Sequence, residues 1–163
     1  MEHLTLIHSK IVNPNNLEPL LTYWRFRNDK IVFTNGCFDL LHRGHIEYLA
    51  QAADLGKVLV VGINTDLSVK KLKGDDRPLQ DEQSRKMILA SLRFVTTVVP
   101  FEDDTPYELI KQIKPDVLVK GADYKEHEIV GADIVKQNKG QIVPVQLTEG
   151  YSTSGIIEKI RKS

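Results

Sequence analysis

The stretch Ile31-Val32-Phe33-Thr34-Asn35-Gly36-Cys37-Phe38-Asp39-Leu40-Leu41-His42-Arg43-Gly44-His45 decides how this chain is read. A short β-branched and aromatic run ends in a glycine turn, and the amphipathic run Ile46–Leu55 follows. That order predicts a strand, a tight turn and a helix start. His42 and His45 stand three positions apart at the mouth of the helix. Residues at that spacing share a helix face, so both rings can point at one ligand. Gly44 removes a side chain where a ligand could approach the backbone. The unpaired N–H groups and positive dipole end of a helix start suit a phosphate. Read from its residues, the stretch is a candidate nucleotide-phosphate cradle.

Outward from it, apolar runs and helical patterns alternate. Strand Ile31–Thr34 leads to a helix over His45–Leu55 closed by Gly56, and strand Val58–Ile63 leads to a loop from Asn64 to Gln80. Asp81 reads as the cap of a helix carrying Met87, Ile88, Ala90 and Leu92. Strand Phe94–Val99 ends at Pro100. Thr105, Pro106 and Glu108 then supply the cap, first-turn proline and capping-box glutamate of a helix ended by Lys114-Pro115. Strand Val117–Lys120, a helix over Ile129–Gln137, strand Gln141–Val145 and a last helix through Ile156, Ile157 and Ile160 complete the pattern. Near-continuously apolar strands between helices predict an α/β fold, a Rossmann-like parallel five-stranded sheet with helices on both faces. Right-handed crossovers bring the strand-to-helix loops to one sheet edge, where ligands bind in this class. Loops 35–45, 64–80, 121–128 and 148–155 are therefore expected to share one cleft. Ahead of the sheet, Leu17, Leu20, Leu21 and Trp24 recur at helical spacing and predict an N-terminal helical extension over residues 1–29.

Composition narrows the function. A formal net charge of zero over 163 residues argues against broad binding to nucleic acid or an anionic membrane surface, so any positive field has to be local. The single cysteine, Cys37, excludes an internal disulfide and a multi-cysteine zinc site. No apolar run approaches the ~20 residues a membrane helix needs, and Met1–Thr5 carries no signal pattern, so a cytoplasmic protein is expected. The P-loop, dinucleotide and His-Glu-x-x-His signatures are absent. A zinc reading of His42 and His45 lacks a patterned third ligand, because His3, His8 and His127 stand at unrelated places.

The pattern Gly36-x-Phe38-Asp39-x-x-His42-x-Gly44-His45 resembles the signature of the cytidylyltransferase-like nucleotidyltransferases. Further segments resemble one branch, the D-glycero-β-D-manno-heptose 1-phosphate adenylyltransferases. They are Gly62–Asp66, Lys71–Gly74 with Arg77-Pro78, Pro115–Gly121 with Asp123-Tyr124-Lys125, Glu128–Asp133 and Glu149–Thr153, spanning roughly Lys30 to Ile160. The resemblance implies that residues 30–163 form a nucleotidyltransferase domain. Its reaction would transfer AMP from ATP to a heptose 1-phosphate, releasing pyrophosphate, with Mg²⁺ accompanying ATP.

In that reading His42 and His45 stabilise charge on the phosphates, and Lys73 is the better of two lysine candidates for neutralising the acceptor phosphate and pyrophosphate. Lys71 is the other, placed with Asp66 and Asp123 toward the acceptor, although the two aspartates could equally cap a helix or turn. Thr34, Gly36, Cys37, Phe38, Gly44, Gly121, Gly150, Tyr151, Ser152, Thr153 and Ser154 are expected around the nucleotide. N-capping is the plainer role of the serine and threonine hydroxyls. Asp39 is expected to shape its loop. Arg77 and Arg85 are weaker candidates, with Arg85 expected to pair with Glu82 or Asp81. Two positions depart from relatives: Leu147 replaces an arginine that precedes Thr-Glu-Gly in cytidylyltransferases of the superfamily, and Gly155 replaces a longer polar side chain.

Competing readings are a related enzyme using CTP or another acceptor, such as glycerol 3-phosphate or a phosphopantetheine, and a nucleotide-binding module without turnover. A fragment of a class I aminoacyl-tRNA synthetase fails on size. The resemblance also implies a homodimer. Some relatives are fused to a sugar kinase for which this chain has no room, so a separate heptose kinase upstream is expected.

Overall fold

The computed structural model describes residues 2–121 and 129–162. Helices α1 (His3–Ser9) and α2 (Glu18–Phe26) precede strand β1 (Ile31–Gly36). Then come α3 (Arg43–Ala53), β2 (Val58–Asn64), α4 (Asp66–Lys73), α5 (Glu82–Ser91), β3 (Thr97–Phe101) and α6 (Tyr107–Ile113). β4 (Val117–Gly121), α7 (Ala132–Gln137), β5 (Gln141–Val145) and α8 (Thr153–Arg161) complete the chain. The five strands pair in parallel in the order β3-β2-β1-β4-β5, as the near-continuous apolar runs predict.

Alternation along each strand builds two cores. Ile31 and Phe33 of β1, Val58 and Val60 of β2 and Leu118 of β4 pack on one face with Leu109, Ile110 and Ile113 of α6 and Val135 of α7. Val32, Leu59, Val61, Val117 and Val119 pack on the other with Tyr48, Leu49 and Ala52 of α3 and Leu89 of α5. Leu17, Leu21 and Trp24 belong to the first core, so the leucine and tryptophan spacing does mark a helix laid against the sheet. Farther back, Val98 N–H donates to the Lys10 carbonyl (2.8 Å) and Val12 N–H to the Val98 carbonyl (3.0 Å), covering the outer edge of β3.

Several boundaries differ from the sequence reading. The expected loop 64–80 contains α4, started by Thr65, whose side chain accepts from Ser68 N–H at 3.2 Å. Its turns are mostly polar, so hydrophobic spacing did not reveal them. β3 runs through Pro100 rather than stopping at it. Val98 N–H points outward to Lys10, so Pro100, two residues on, has its missing donor on the same outer side. In α6 the cap position falls on Pro106, leaving Thr105 one residue outside and no side-chain cap. α7 starts only at Ala132, because Gly131 holds φ +84°, a left-handed conformation outside helical geometry.

Gly56 does not close α3 either. The helix ends at Ala53, and Gly56 lies against the start of β1, where an added Cβ would sit 2.6 Å from both the Lys30 carbonyl oxygen and Val32 Cγ2. Backbone is the obstacle, so the contact cannot relax by a rotamer change. Gly56→Ala is expected to cost about 2 kcal/mol, typical of forced overpacking, seen as a lower urea midpoint at unchanged m value.

Candidate active site

The strand order reverses direction at β1, whose neighbours are β2 and β4, and crevices at such switch points are where open sheets bind ligands. β1 and β4 pair only at Val32–Val117 and Phe33–Leu118, whereas β1 and β2 stay paired through Gly36–Ile63. Beyond Leu118 the gap is bridged by side chains. Tyr48 Oη of α3 donates to the Val119 carbonyl (3.2 Å) and meets Thr34 Oγ1 (2.7 Å), and Lys120 Nζ donates to Asn35 Oδ1. Above them opens a cleft of about 470 Å³, within the usual range for a small-molecule site.

Seven of the expected residues line it: Gly36, Cys37, Phe38, His45, Lys73, Gly121 and Thr153. Phe38 adopts φ +45° and folds its ring back over Gly36, where an added Cβ would lie 3.1 Å from Phe38 Cε2. The same ring meets His45 edge-on at 5.3 Å, which accounts for the Gly-x-Phe spacing. His45 Nδ1 is buried without a hydrogen-bond partner. Burial, with smaller pushes from His42 and Lys73, lowers the His45 pKa from 6.5 to about 4, while the Leu40 backbone pulls weakly the other way.

His42 is not a face-mate of His45 on the helix. It is the N-cap, in extended conformation, and its Nδ1 accepts from His45 N–H at 3.4 Å, which leaves the ring proton on Nε2. The two rings stack at 3.8 Å, with His42 beside the cleft rather than in its lining, and burial lowers its pKa as well. The space beside Gly44 belongs to the protein: a Cβ there would be 3.2 Å from both His42 Nδ1 and Tyr151 Cβ. Gly44 therefore lets the segment before α8 reach the start of α3. Tyr151 stacks near His42 (6.5 Å) and under the Arg43 guanidinium (5.5 Å), while Thr148 Oγ1 donates to Glu47. Two helix N-termini thus converge beside the histidines. Ser152 caps α8 by accepting from Gly155 N–H (3.0 Å), Gly150 turns the chain at φ +80°, and Ser154 is exposed.

Other expected residues lie elsewhere. Thr34 is fully buried beneath the cleft, its hydroxyl held by Tyr48. Lys71 is exposed on α4 and does not line the cleft. Asp66 is turned away: its carboxylate accepts from Glu82 N–H (3.1 Å) and pairs with Arg85 (2.8 Å). Asp123 lies outside the described residues. Arg85 pairs with neither Glu82 nor Asp81. It is fully buried, and it also donates to the carbonyls of Gln80 (3.0 Å), Cys37 (2.6 Å) and Asn64 (2.9 Å). Its spacing of four from Leu89 put it on the apolar stripe of α5, a signal that was available in the sequence. Asp39 shapes its loop as expected, accepting from Leu79 N–H (2.8 Å), Gln80 N–H (3.0 Å) and Arg77 Nε (2.6 Å). Burial alone would raise its pKa, but these donors outweigh it and hold the carboxyl below its usual value.

Lys120, Asn35, Asn64 and Tyr48 line the cleft unforeseen. A lysine closing an otherwise apolar strand at its carboxyl end was the available clue. Burial lowers the Lys120 pKa to about 8. Cys37 is a neutral thiol raised by burial, with Sγ 3.7 Å from Asn64 Oδ1. The described lining therefore offers two lysines, imidazole and amide donors, and one carboxylate already committed to Arg77.

Residues 33–159 match the family described as Cytidylyltransferase-like. The chain belongs to that family. This cytidylyltransferase-like chain is 52% identical over 151 residues to the bifunctional protein HldE of Magnetococcus marinus, covering 93% of the chain and 31% of that relative. To the bifunctional protein HldE of Helicobacter pylori it is 50% identical, covering 100% of the chain and 35% of the relative. It spans about a third of the length of these curated relatives. Among solved structures it is similar to the lipopolysaccharide core biosynthesis protein from Thermoplasma volcanium (TM-score 0.64, 30% identity, covering 74% of this chain and 99% of that one). The fold is also that of pantoate-beta-alanine ligase from Francisella tularensis (TM-score 0.58, 17% identity, 94% and 78% covered). No helix among the described residues is long and apolar enough to cross a membrane.

The lowered pKa of His45 has a consequence for the cytidylyltransferase-like fold. Between pH 6.5 and about 4 the unfolded chain binds the proton that folded His45 refuses, so this group's contribution is present above 6.5 and is lost as pH falls toward 4. The melting temperature of the wild-type protein relative to His45→Gln should therefore fall on going from pH 7 to pH 4. A pH-independent difference would show that His45 is not held neutral in the fold.

Proposed function

We propose that this chain is an adenylyltransferase that moves AMP from ATP to D-glycero-β-D-manno-heptose 1-phosphate, giving ADP-heptose and pyrophosphate. The observation that carries it is the character of the cleft: two lysines and the His45 imidazole line it, two helix N-termini converge beside it, and its described carboxylate is neutralised within the protein. Such a lining suits a polyanion, whereas a neutral nucleophile would call for a general base beside it. A sugar phosphate needs none, since its second pKa is about 6 and it is largely ionised near neutrality. One of its oxygens forms the new bond to the α-phosphorus, the bond to the bridging oxygen breaks, and the electron pair leaves with pyrophosphate. The N–H donors of His42 and His45, with Lys73, would stabilise charge as it moves onto the leaving group.

The acceptor rests on the branch resemblance, on the HldE relatives at about half identity and on a structural neighbour named for lipopolysaccharide core biosynthesis. ATP is preferred over CTP because apolar Leu147 lines the cleft where CTP-using relatives carry arginine. Among the described residues no group of His, Cys, Asp and Glu could hold a metal ion. Mg²⁺ would arrive with ATP, where it offsets phosphate charge. The proposal keeps a cytoplasmic setting, a homodimer and a heptose kinase acting upstream.

Pyrophosphate release, measured for ATP and CTP against heptose 1-phosphate, glycerol 3-phosphate and phosphopantetheine, tests the whole reading. Turnover is expected only with ATP and the heptose phosphate, and His45→Ala should lower kcat by about 10²–10³-fold. Turnover confined to CTP would overturn the nucleotide assignment, and nucleotide binding without turnover on any acceptor would make the chain a binding module.

A further inference from the structure

We infer that Lys120, held by Asn35 across the gap between β1 and β4, is a substrate-contacting residue that meets a phosphoryl oxygen of bound ATP from the sheet edge. The inference rests on the ATP-binding reading of the cleft and adds a third direction of contact to it. His42 and His45 come from the start of α3, and Lys73 comes from the end of α4. Lys120 comes from the sheet itself, one residue before β4 ends, on the far side of the crevice from β2.

The local structure does not need a cation here. Tyr48 already ties Thr34 to the Val119 carbonyl just below, and an amide or hydroxyl could answer Asn35 equally well. A lysine instead puts an ammonium into a largely buried place with a neutral oxygen as its hydrogen-bond acceptor, which costs solvation that an amide does not repay. Nζ carries three donors, and Asn35 takes one of them. The remaining donors sit in a cleft whose described carboxylate, Asp39, is occupied by Arg77, Leu79 and Gln80. Among the described residues no carboxylate is left to answer those donors, and an anion entering the cleft would do so.

Burial lowers the Lys120 pKa to about 8 in the free protein, so the arrival of a polyphosphate should draw a proton onto it. Among the described residues the other ionisable groups lining the cleft are His45 and Tyr48 from α3, Cys37 and Asp39 from the loop after β1, and Lys73 from α4. The lining from the segment between β5 and α8 and from α8 itself is Leu147 and Thr153, which do not ionise. At pH 8.5 His45, with its pKa about 4, stays neutral and does not mask the lysine.

Calorimetric titration of the full chain with Mg-ATP at pH 8.5, in two buffers of different ionisation enthalpy, counts the protons taken up. With a pKa of about 8 in the free protein, Lys120 is mostly uncharged at pH 8.5, so net proton uptake on ATP binding is expected. Lys120→Met, similar in length and free of the buried charge, should lose the uptake and weaken ATP binding about tenfold or more, as for loss of a charge-assisted hydrogen bond. Lys120→Arg, charged throughout, should lose the uptake and keep more of the affinity than Lys120→Met. ATP affinity unchanged in Lys120→Met overturns the role of Lys120 and leaves the adenylyltransferase reading standing. Failure of the wild-type protein to bind ATP at all overturns both.

Discussion

The guanidinium of Arg85 is the interaction on which the cleft depends. It is fully buried on α5 and is satisfied by the carbonyls of Cys37, Asn64 and Gln80 and by the carboxylate of Asp66. Those oxygens belong to the loop after β1, the end of β2, the approach to α5 and the start of α4. A buried charge left short of partners is expensive, so the four segments hold each other in place. Asp39 closes the arrangement from the other side, binding Arg77 and the amides that precede α5. The loop carrying Phe38 is therefore fixed at both ends before any ligand arrives.

This rigidity suits the proposed phosphoryl chemistry of a site with modest side chains. Positioning and preorganised donors do most of the work in phosphoryl transfer, and water is excluded from doing it less well. The protein spends its buried charges on the frame, in Asp39 with Arg77 and Arg85 with Asp66, and keeps neutral imidazoles and lysines for the ligand. Phe38 and Gly36 set the angle at which the His45 ring enters.

Much of the fold could be read from the sequence, because strands buried on both faces leave continuous apolar runs and helices between them leave a different period. Strand order could not be read, since the period of a strand says nothing about its neighbours, and α4 was hidden by its polar face. The site divided along the same line. Gly36, Phe38 and His45 were legible because their chemistry is local to one turn. Thr34 and Asp66 looked like ligand groups because a hydroxyl or carboxylate at a strand end serves a ligand or the frame equally well, and only the presence of Tyr48 and Arg85 decides. Lys120 escaped notice because its meaning comes from Asn35, 85 positions earlier in the chain and next to it in space.

The two margins of the sheet also bear on how the protein avoids unwanted association. A bare outer strand is a template on which another chain can add itself and aggregate. Residues Lys10–Val12 already occupy the margin at β3, and Pro144, lacking an N–H, interrupts the donor row of β5 at the other. Sheet extension between molecules is thereby blocked at one side and broken at the other. Strand-to-strand assembly is disfavoured at both margins, while the carboxyl edge of the sheet, where the cleft lies, is left uncovered by either device.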